Sequence, residues 1–314
     1  MKKSGSALYL LGGVTAAGKT ELGLRWAETE GFEILSCDSI AVFRQMDLGS
    51  AKPSFEDQSR VVHHGIDLVD VKDDFSVADY VNYASKVMDE IYQRNGNALV
   101  CGGSGFYMQS FLSKVVDGVI VPEEIRQDIK ATYENHGLEK LVKQLQSLNP
   151  AGVGNLDMCN PRRVIRGLER CIATGKSLNE LKEEMEAFPD PYENLDKWIC
   201  WFDRENEDLE ERIARRTIYM LENGLVSETE KLISLGLIEN LSASNSVGYR
   251  ECISFLKGEM DEAELAKAIN HSTRRLVSKQ RKWYRKHFGE SSRVVLGGDS
   301  EKNNQIFWVK AGHA

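Results

Sequence analysis

Short apolar runs alternate with amphipathic stretches over the first hundred residues. Three of the apolar runs have the length of buried strands, and the stretches after them place apolar residues at helical spacing. The runs are 7–13, 32–39 and 97–103, and the helical stretches are 19–29, 77–95 and 104–114. Strand and helix in alternation are typical of a parallel sheet with helices on both faces. The pattern therefore predicts an α/β fold built on a doubly wound parallel sheet.

Polar helical residues then replace the alternating pattern. Pro122 and Pro150 bracket one long helical stretch, and a second helical stretch follows it. Two closely spaced prolines then end this polar helical region. We expect residues 121–190 to form an inserted all-helical domain, and residues 1–120 and 191–314 to form the core.

An apolar run at 198–203 predicts the return to the sheet. Helical spacing follows in four C-terminal segments, at 206–223, 226–235, 246–256 and 261–288. The last two dozen residues predict a loose tail with one short strand.

A glycine-rich loop joins the first predicted strand to the first helix. It matches the P-loop pattern G-x-x-x-x-G-K-[ST], in which backbone N–H groups and the start of a helix cradle phosphate. Lys19 adds a mobile cation, and the Thr20 hydroxyl is suited to Mg²⁺. The motif predicts that a diphosphate or a longer phosphate chain, nucleoside triphosphates included, binds eight residues: Gly13, Val14, Thr15, Ala16, Ala17, Gly18, Lys19 and Thr20.

Composition adds limits to this picture. Apolar residues make up 41% and charged residues 28% of the 314 residues, which is ordinary for a water-soluble globular protein. No apolar run approaches the ~20 residues of a membrane span. Because the opening "MKKSGS" runs directly into the first predicted strand, we expect no signal peptide. The six cysteines are scattered without a C-x-x-C pair, which indicates reduced thiols in a cytoplasmic protein.

Positive charge is concentrated although the chain has a net charge of −8. Residues 266–288 contain eight Lys or Arg and no acidic residue. Arg162, Arg166 and Arg170 repeat every fourth position and share one helix face, where like charges repel unless an anion offsets them. Together with Tyr249 and Arg250 nearer the C-terminus, these clusters favour a folded RNA as partner.

Asp38 closes the second predicted strand, beside the phosphate loop. From its position alone it is suited to placing a metal, to acting as a general base on an acceptor, or to capping the turn with Ser39. The next strand ends in Gly-Gly-Ser, with no carboxylate to hold a metal or a water. This disfavours an NTP-hydrolysing motor.

Three classes of protein fit these residues. One is a P-loop kinase of a small hydroxyl metabolite. Another is a transferase whose donor loses a diphosphate and whose acceptor is RNA. The third is a nucleotide-gated RNA-binding switch without catalysis. A kinase does not need the arginine-rich helices, and a switch does not need an aspartate beside the loop.

Taken together, the motifs resemble the tRNA dimethylallyltransferases, also called isopentenyl-tRNA transferases. The resemblance spans about residues 7–288, and seven elements beyond the phosphate loop "GVTAAGKT" appear in the family's order. They are "DSIAVFRQMDLGSAKP" (38–53), "HHGID" (63–67), "GGSGFY" (102–107), "PRRVIRGLE" (161–169), "TGKSL" (174–178), "RIARRTIYMLENGL" (212–225) and "VGYRE" (247–251).

The resemblance implies a reaction. Dimethylallyl diphosphate would give its five-carbon group to the N6 amine of the adenosine 3′ of the anticodon, in tRNAs that read codons beginning with U, and diphosphate would leave with Mg²⁺. By the same resemblance Lys19 and Arg216 stabilise the leaving group, Asp38 is the general base, and Ser104, where the family usually has Thr, hydrogen-bonds near the amine. Arg212 and Arg215 rank below Arg216. We also expect a monomer that flips the target base.

The resemblance also implies which residues contact the anticodon stem-loop of tRNA. These are Asp38, Ser39, Ile40, Ala41, Ser104, Arg126, Arg162, Arg163, Val164, Ile165, Arg166, Asn245, Ser246, Val247, Gly248, Tyr249 and Arg250.

Some positions depart from the family's pattern. Val14 replaces a proline, Phe43 a tyrosine and Arg162 a common glutamine, while Ala41 replaces a glutamine and so removes a polar contact to RNA. The zinc-finger extension of eukaryotic members is absent, so we expect a bacterial-type enzyme. The adjacent His63 and His64 point to opposite faces of a strand, which makes a structural hydrogen-bonding role more plausible than a metal pair.

Overall fold

The computed structural model describes residues 7–94, 96–297 and 306–311. The chain divides into two compact units. The sheet unit comprises Met1–Phe111 with Tyr192–Ala314, and the helical unit comprises Leu112–Pro191. The "MKKSGS" opening, on which the expectation about a signal peptide rests, lies outside the described residues.

The helical unit begins earlier than the predicted residue 121. Lys114 and Asp117 explain this difference because their side chains pair within that unit. The Lys114 ammonium donates to the carbonyl of Glu186 at 2.8 Å, and Asp117 forms an ion pair with Arg170.

Seven strands of the described residues form one sheet, in the order β3-β2-β4-β1-β5-β6, with β7 also paired to β5. All neighbours along this path are parallel, which confirms the predicted doubly wound parallel sheet. The strands are β1 (Ala7–Gly13), β2 (Glu33–Ser36), β3 (His63–His64), β4 (Ala98–Cys101), β5 (Asp196–Arg204), β6 (Arg293–Leu296) and β7 (Val309–Lys310).

Twelve α-helices are found in the described part of the chain, and α5 to α7 belong to the helical unit. They are α1 (Lys19–Glu30), α2 (Phe55–Arg60), α3 (Val77–Gln93), α4 (Gly105–Leu112), α5 (Glu123–Leu148), α6 (Pro161–Thr174), α7 (Leu178–Ala187), α8 (Asn206–Glu222), α9 (Leu225–Ser234), α10 (Leu241–Ser244), α11 (Tyr249–Leu256) and α12 (Glu262–His287). None of the described helices is long and apolar enough to cross a membrane.

The centre of the sheet is buried on both faces. Leu8, Leu10 and Leu11 of β1 have no solvent exposure, as expected for a parallel strand covered by helices on each side. Capping boxes start two of the covering helices, with Ser76 at α3 and Asp261 at α12. These caps fix where each helix begins, and so which side chains reach the edge of the sheet.

The helical unit has a small apolar core of its own between α5 and α6. Ile129, Leu141 and Leu145 of α5 pack with Val164 and Leu168 of α6. The α5 helix is broken at Gly137, whose backbone has φ +70°. The predicted all-helical character of the insertion is observed.

The C-terminal segment differs from the predicted loose tail. β6 pairs in parallel with the C-terminal half of β5, and β7 pairs antiparallel with its N-terminal half. The prediction of a single strand was wrong because both short strands depend on β5, which lies far away in sequence. The rest of the predicted tail, 298–305 and 312–314, lies outside the described residues.

Candidate active site

Three neighbouring strands end at one edge of the sheet and place the predicted chemistry side by side. The phosphate loop follows β1, Asp38 follows β2, and the turn Gly102–Ser104 follows β4, which lies between them. The N–H of Ser104 donates to the Cys37 carbonyl at 3.0 Å, and the N–H of Gly102 donates to the Leu11 carbonyl at 3.2 Å. These bonds fix the turn between the loop and the aspartate.

A cavity of about 1210 Å³ opens at this edge of the sheet unit. Most of the loop, the Asp38 segment and Ser104 line it, together with Arg216. The predicted RNA-contact residues Asn245, Ser246, Val247 and Arg250 line it as well. The structure therefore brings the predicted phosphate, catalytic and RNA groups of this unit to one space.

Glycines allow the phosphate loop to curl against β5. Gly13 has φ +144°, and a Cβ there would lie 2.5 Å from the Phe202 carbonyl oxygen. The N–H of Val14 donates to that same carbonyl at 3.0 Å. Gly18, with φ +96°, precedes the first residue of α1. The loop thus meets the positive end of the helix, where anions are stabilised.

Lys19 lies within the loop, and its ammonium donates to the Val14 carbonyl at 2.7 Å. The pKa of Lys19 is lowered to about 8, mainly by burial and also by the nearby Arg216, although Cys101 and Asp38 act in the opposite direction. A desolvated cation of this kind is stabilised by an incoming anion.

Three arginines of the β5–α8 segment donate hydrogen bonds to the loop. Arg216 donates to the Thr15 hydroxyl at 3.1 Å. Arg212 donates through Nε to the Ala16 carbonyl at 2.9 Å, and Arg204 donates through Nε to the Ala17 carbonyl at 3.0 Å. The resemblance directed attention to Arg216, whereas no sequence signal indicated the contact of Arg204. Arg215 on the same helix is exposed.

Asp38 is half-buried and uses one carboxylate oxygen to order its own turn. Oδ1 accepts from the N–H of Ile40 at 2.8 Å and from the N–H of Ala41 at 3.4 Å. Oδ2 has no hydrogen-bond partner among the described residues. The side chain is therefore oriented by its turn and keeps an acceptor for a ligand, so the turn-capping role and the general-base role are compatible.

Two glycines hold the Ser104 turn close to its neighbours. A Cβ on Gly102 would lie 2.1 Å from the Cys37 carbonyl oxygen, and a Cβ on Gly105 would lie 2.6 Å from the ring of Trp283. Ser104 is half-buried at the start of α4. Its position is thus set by backbone packing on two sides.

Gln280 of α12 connects the phosphate loop to the Ser104 turn. Its amide oxygen accepts from the N–H of Thr15 at 2.8 Å, and its amide nitrogen donates to the Gly103 carbonyl at 2.9 Å. Tyr284, one turn later, donates to the Gly102 carbonyl at 3.0 Å. The basic composition of α12 gave no sign of these two contacts, because Gln280 and Tyr284 lie among its lysines and arginines.

Two of the predicted RNA-contact residues have buried side chains in this structure. Tyr249 has no solvent exposure, and its hydroxyl donates to Glu228 at 2.6 Å. Glu228 also accepts from the N–H of Leu48 at 3.0 Å, so Tyr249 helps to hold the loop after Asp38 instead of stacking on a base. Val164 is fully buried in the core of the helical unit. The family's motifs place these residues near RNA contacts, but their own apolar groups are covered by protein.

Two further predicted contacts are small, buried residues. Ala41 is 3% exposed and offers RNA no polar side chain. Gly248 is buried and donates its N–H to Glu251 at 2.8 Å. Each would support neighbouring contact residues through its backbone only.

The basic window of α12 is partly neutralised by the protein itself. Arg281 binds the fully buried Asp203 at 2.8 Å, Arg285 pairs with Glu290 at 2.7 Å, and Arg274 lies 3.9 Å from Glu210. Five others make no ion pair within the described part of the chain: Lys267, Arg275, Lys279, Lys282 and Lys286. The positive surface of this helix is therefore smaller than the sequence suggested.

The arginines of α6 also have protein partners. Arg166 pairs with Glu169 at 3.1 Å, and Arg170 pairs with Asp117. Carboxylates of the helical unit thus supply part of the negative charge that was predicted to offset these arginines. Arg162, Arg163 and Arg166 remain exposed, as does Arg126 of α5, while Ile165 is half-buried.

The two adjacent histidines have the hydrogen-bonding roles that the sequence predicted. His64 Nε2 lies 2.7 Å from a carboxylate oxygen of Glu33, and His63 Nδ1 lies 2.8 Å from the Val61 carbonyl oxygen. Burial lowers the pKa of His63. The six cysteines are free thiols, as expected.

A divalent cation would find few protein ligands here. No group of three His, Cys, Asp or Glu side chains suited to a metal is present among the described residues. Thr20 is exposed and lines the cavity. This donor set fits Mg²⁺, which keeps waters and binds through substrate phosphates with few protein groups.

Comparisons with known proteins agree on one family. The model of the IPP transferase family matches residues 41–287. The tRNA dimethylallyltransferase of Opitutus terrae is 44% identical over 287 residues, covering 91% of this chain and 92% of that protein. The enzyme of the same name from Geobacter sulfurreducens is 34% identical over 283 residues, covering 90% of each.

Solved structures that resemble this chain include transferases that act on tRNA. The tRNA isopentenylpyrophosphate transferase of Bacillus halodurans superposes with a TM-score of 0.66 at 27% identity, covering 95% of this chain and 93% of that one. A eukaryotic dimethylallyltransferase acting on tRNA superposes with a TM-score of 0.79 at 20% identity, covering 96% of this chain and 76% of that one. The second likeness shows the shared fold.

Proposed function

The chain belongs to the IPP transferase family, and from this premise we propose that it transfers a dimethylallyl group from dimethylallyl diphosphate to tRNA. The acceptor is the N6 amine of the adenosine 3′ of the anticodon, in tRNAs that read codons beginning with U. The main support for this proposal is that the phosphate loop and Asp38 line the same cavity.

The phosphate loop binds the diphosphate as a leaving group. As the allylic C–O bond breaks, positive charge develops on carbon and negative charge on the departing oxygens. Fixed donors aimed at those oxygens provide the largest stabilisation available to such a step. Lys19, the loop N–H groups and Arg216 supply these donors, and Arg216 is already oriented by its bond to Thr15.

Asp38 accepts the proton of the attacking amine. The amine becomes acidic only as the new C–N bond forms, so an ordinary carboxylate suffices as general base. Its ordered turn fixes Oδ1 and leaves Oδ2 for the substrate. Ser104, held against Cys37, is the neighbouring hydrogen-bonding group for the same amine.

The tRNA contacts come from two kinds of surface. In the sheet unit, Asn245 to Val247 and Arg250 border the cavity and would meet the flipped nucleotide and its neighbours. In the helical unit, Arg126, Arg162, Arg163 and Arg166 are exposed cations suited to the phosphates of the anticodon stem.

Mg²⁺ is the cofactor we propose, held by Thr20 and the diphosphate oxygens, and it would neutralise charge on the leaving group.

The protein acts as a monomer in the cytoplasm, where its tRNA substrate is found.

Phosphoryl transfer from ATP to a small metabolite is the alternative that the sequence left open. The family relationship favours prenyl transfer, because its members are named for transfer to tRNA. The arginine face of α6 would also have no purpose in such a kinase.

A double-label experiment tests the proposal. The protein is incubated with Mg²⁺, unmodified tRNA and dimethylallyl diphosphate labelled in the allyl group, and in parallel with γ-labelled ATP and a mixture of hydroxyl metabolites. We expect label to enter tRNA from the allylic donor alone. Label that moved only from ATP into a metabolite would contradict the proposal.

A further inference from the structure

One residue of the phosphate loop has a strained backbone. Ala16 has φ +63°, in the left-handed region that an alanine rarely adopts. The steric cost of this region for a residue with a Cβ is enough to shift an equilibrium by about tenfold or more. Something outside the loop must therefore favour this conformation over its relaxed alternatives.

The carbonyl of Ala16 is held by a charged donor. Arg212 approaches from α8 and donates through Nε at 2.9 Å. Its terminal nitrogens extend past the carbonyl toward the end of the loop, since Nη2 lies 3.8 Å from the position of a Cβ on Gly18. The Arg212 side chain thus lies along the strained segment from Ala16 to Gly18.

The next carbonyl is held in a different way. Ala17 accepts from Nε of Arg204, whose side chain is almost fully buried and forms an ion pair with Asp208. Arg204 is thereby neutralised and fixed within the protein. Arg212, in contrast, is half-buried and lines the cavity. It can therefore be substituted without removing the ion-pair partner of Asp208.

We propose that Arg212 is a positioning residue that holds Ala16 in its left-handed conformation and so keeps the loop shaped for a diphosphate. The bond from Nε fixes the direction of the Ala16 carbonyl and so the conformation of the loop. The inference rests on the proposed function, because the ligand of the loop is taken to be the diphosphate of the donor.

The test separates positioning from direct contact with the ligand. Binding of inorganic diphosphate with Mg²⁺ is measured by calorimetry for the unaltered protein, Arg212→Ala, Ala16→Gly and the double variant. Arg215→Ala, an exposed arginine of the same helix, is the matched control, and thermal unfolding of every variant checks the fold. Steady-state KM for dimethylallyl diphosphate is measured in parallel.

We expect Arg212→Ala to weaken diphosphate binding about 10- to 100-fold, as for loss of a hydrogen bond from a charged donor. Because glycine adopts the left-handed region without strain, the same substitution should cost several-fold less when residue 16 is glycine. KM for the donor should follow the same order, and Arg215→Ala should change neither value by more than about twofold, as is usual for a surface position.

Two results would overturn the inference alone. One is an unchanged affinity in Arg212→Ala; the other is an equal loss in the alanine and glycine backgrounds, which would mean that Arg212 acts on the ligand directly. A third result, no binding of diphosphate by the unaltered protein, would overturn the proposed function and this inference with it.

Discussion

The cavity of the sheet unit and the arginine face of α6 use the same residue type at the same spacing in opposite ways. Arg212 and Arg216 are half-buried, and each holds an atom of the phosphate loop. Arg162 and Arg166 are also four residues apart, yet they are exposed, and Arg166 pairs with Glu169 of its own helix. The sequence does not distinguish the two pairs; packing does.

The difference separates geometry from charge. A guanidinium fixed against a backbone carbonyl contributes a defined direction, and lysine cannot replace its planar fork. An exposed guanidinium contributes mostly its charge, which salt screens and lysine retains. Substitutions in the cavity should therefore change rate, and substitutions on α6 should change affinity for RNA in proportion to charge.

Removal of Mg²⁺ should give the largest effect and should act on the cavity alone. Chelation takes away neutralisation of the leaving diphosphate, so transfer should fall below detection. Binding of an anticodon stem-loop that folds in monovalent salt should persist, which a filter-binding assay measures. Transfer that survived complete chelation would contradict the assignment of the diphosphate as a metal-assisted leaving group.

Asp38→Asn should come next in size. The amide keeps the shape and the turn but cannot accept the amine proton, so kcat should fall on the order of 10²–10⁴-fold. Affinity for the stem-loop should stay nearly constant. If affinity fell in step with kcat, Asp38 would have a structural role, as the turn formed through Oδ1 would also allow.

Arg216→Lys tests geometry against charge most sharply. We expect kcat to fall on the order of 10²-fold, comparable to losing one donor to a developing anion, although the positive charge is kept. The matched control is Arg166→Lys on α6, which should change neither kcat nor affinity by more than about twofold. Equal, small effects of both swaps would remove the distinction between the two regions.

Neutralising α6 should produce a smaller, salt-dependent effect. For each of the variants Arg163→Ala and Arg166→Ala, the slope of log affinity against log salt concentration should become shallower. The change should be about 0.9 or less, which is the value for one phosphate contact. At saturating tRNA, kcat should be unchanged. Slopes identical to that of the unaltered protein would mean that this face does not contact RNA.

Tyr249→Phe should have the smallest effect. Loss of the hydrogen bond to Glu228 should lower the free energy of unfolding by about 1 kcal/mol. Affinity for the stem-loop should be the same as in the unaltered protein, because the ring has no exposed surface. A weakened RNA complex with unchanged stability would show that Tyr249 contacts RNA, as the resemblance implies.

Local signals in the sequence were enough for the frame of the site. The phosphate loop, the aspartate after β2 and the glycine turn after β4 each follow an apolar run, and parallel strands bring such ends to one edge. Helix periodicity likewise indicated the insertion. These features depend on neighbours in sequence, so they could be predicted from it.

The remainder depends on partners far apart in the chain. Gln280 lies 265 residues from Thr15 in the sequence, and no sequence pattern around either residue predicts their hydrogen bond. The burial of Tyr249 follows from Glu228 on another helix, and β6 and β7 exist only because β5 offers an edge. Composition could not show that part of the positive charge of α12 is neutralised by an ion pair with Asp203.

The most direct measurement is a crystal structure of the protein with Mg²⁺, an unreactive thiolo analogue of dimethylallyl diphosphate and an anticodon stem-loop. We expect the diphosphate to lie against residues 13–20 and the N6 amine of the flipped adenosine to lie within hydrogen-bonding distance of Asp38 Oδ2. A nucleoside triphosphate bound in that loop in preference to the allylic analogue, with Asp38 turned away from the RNA, would contradict it.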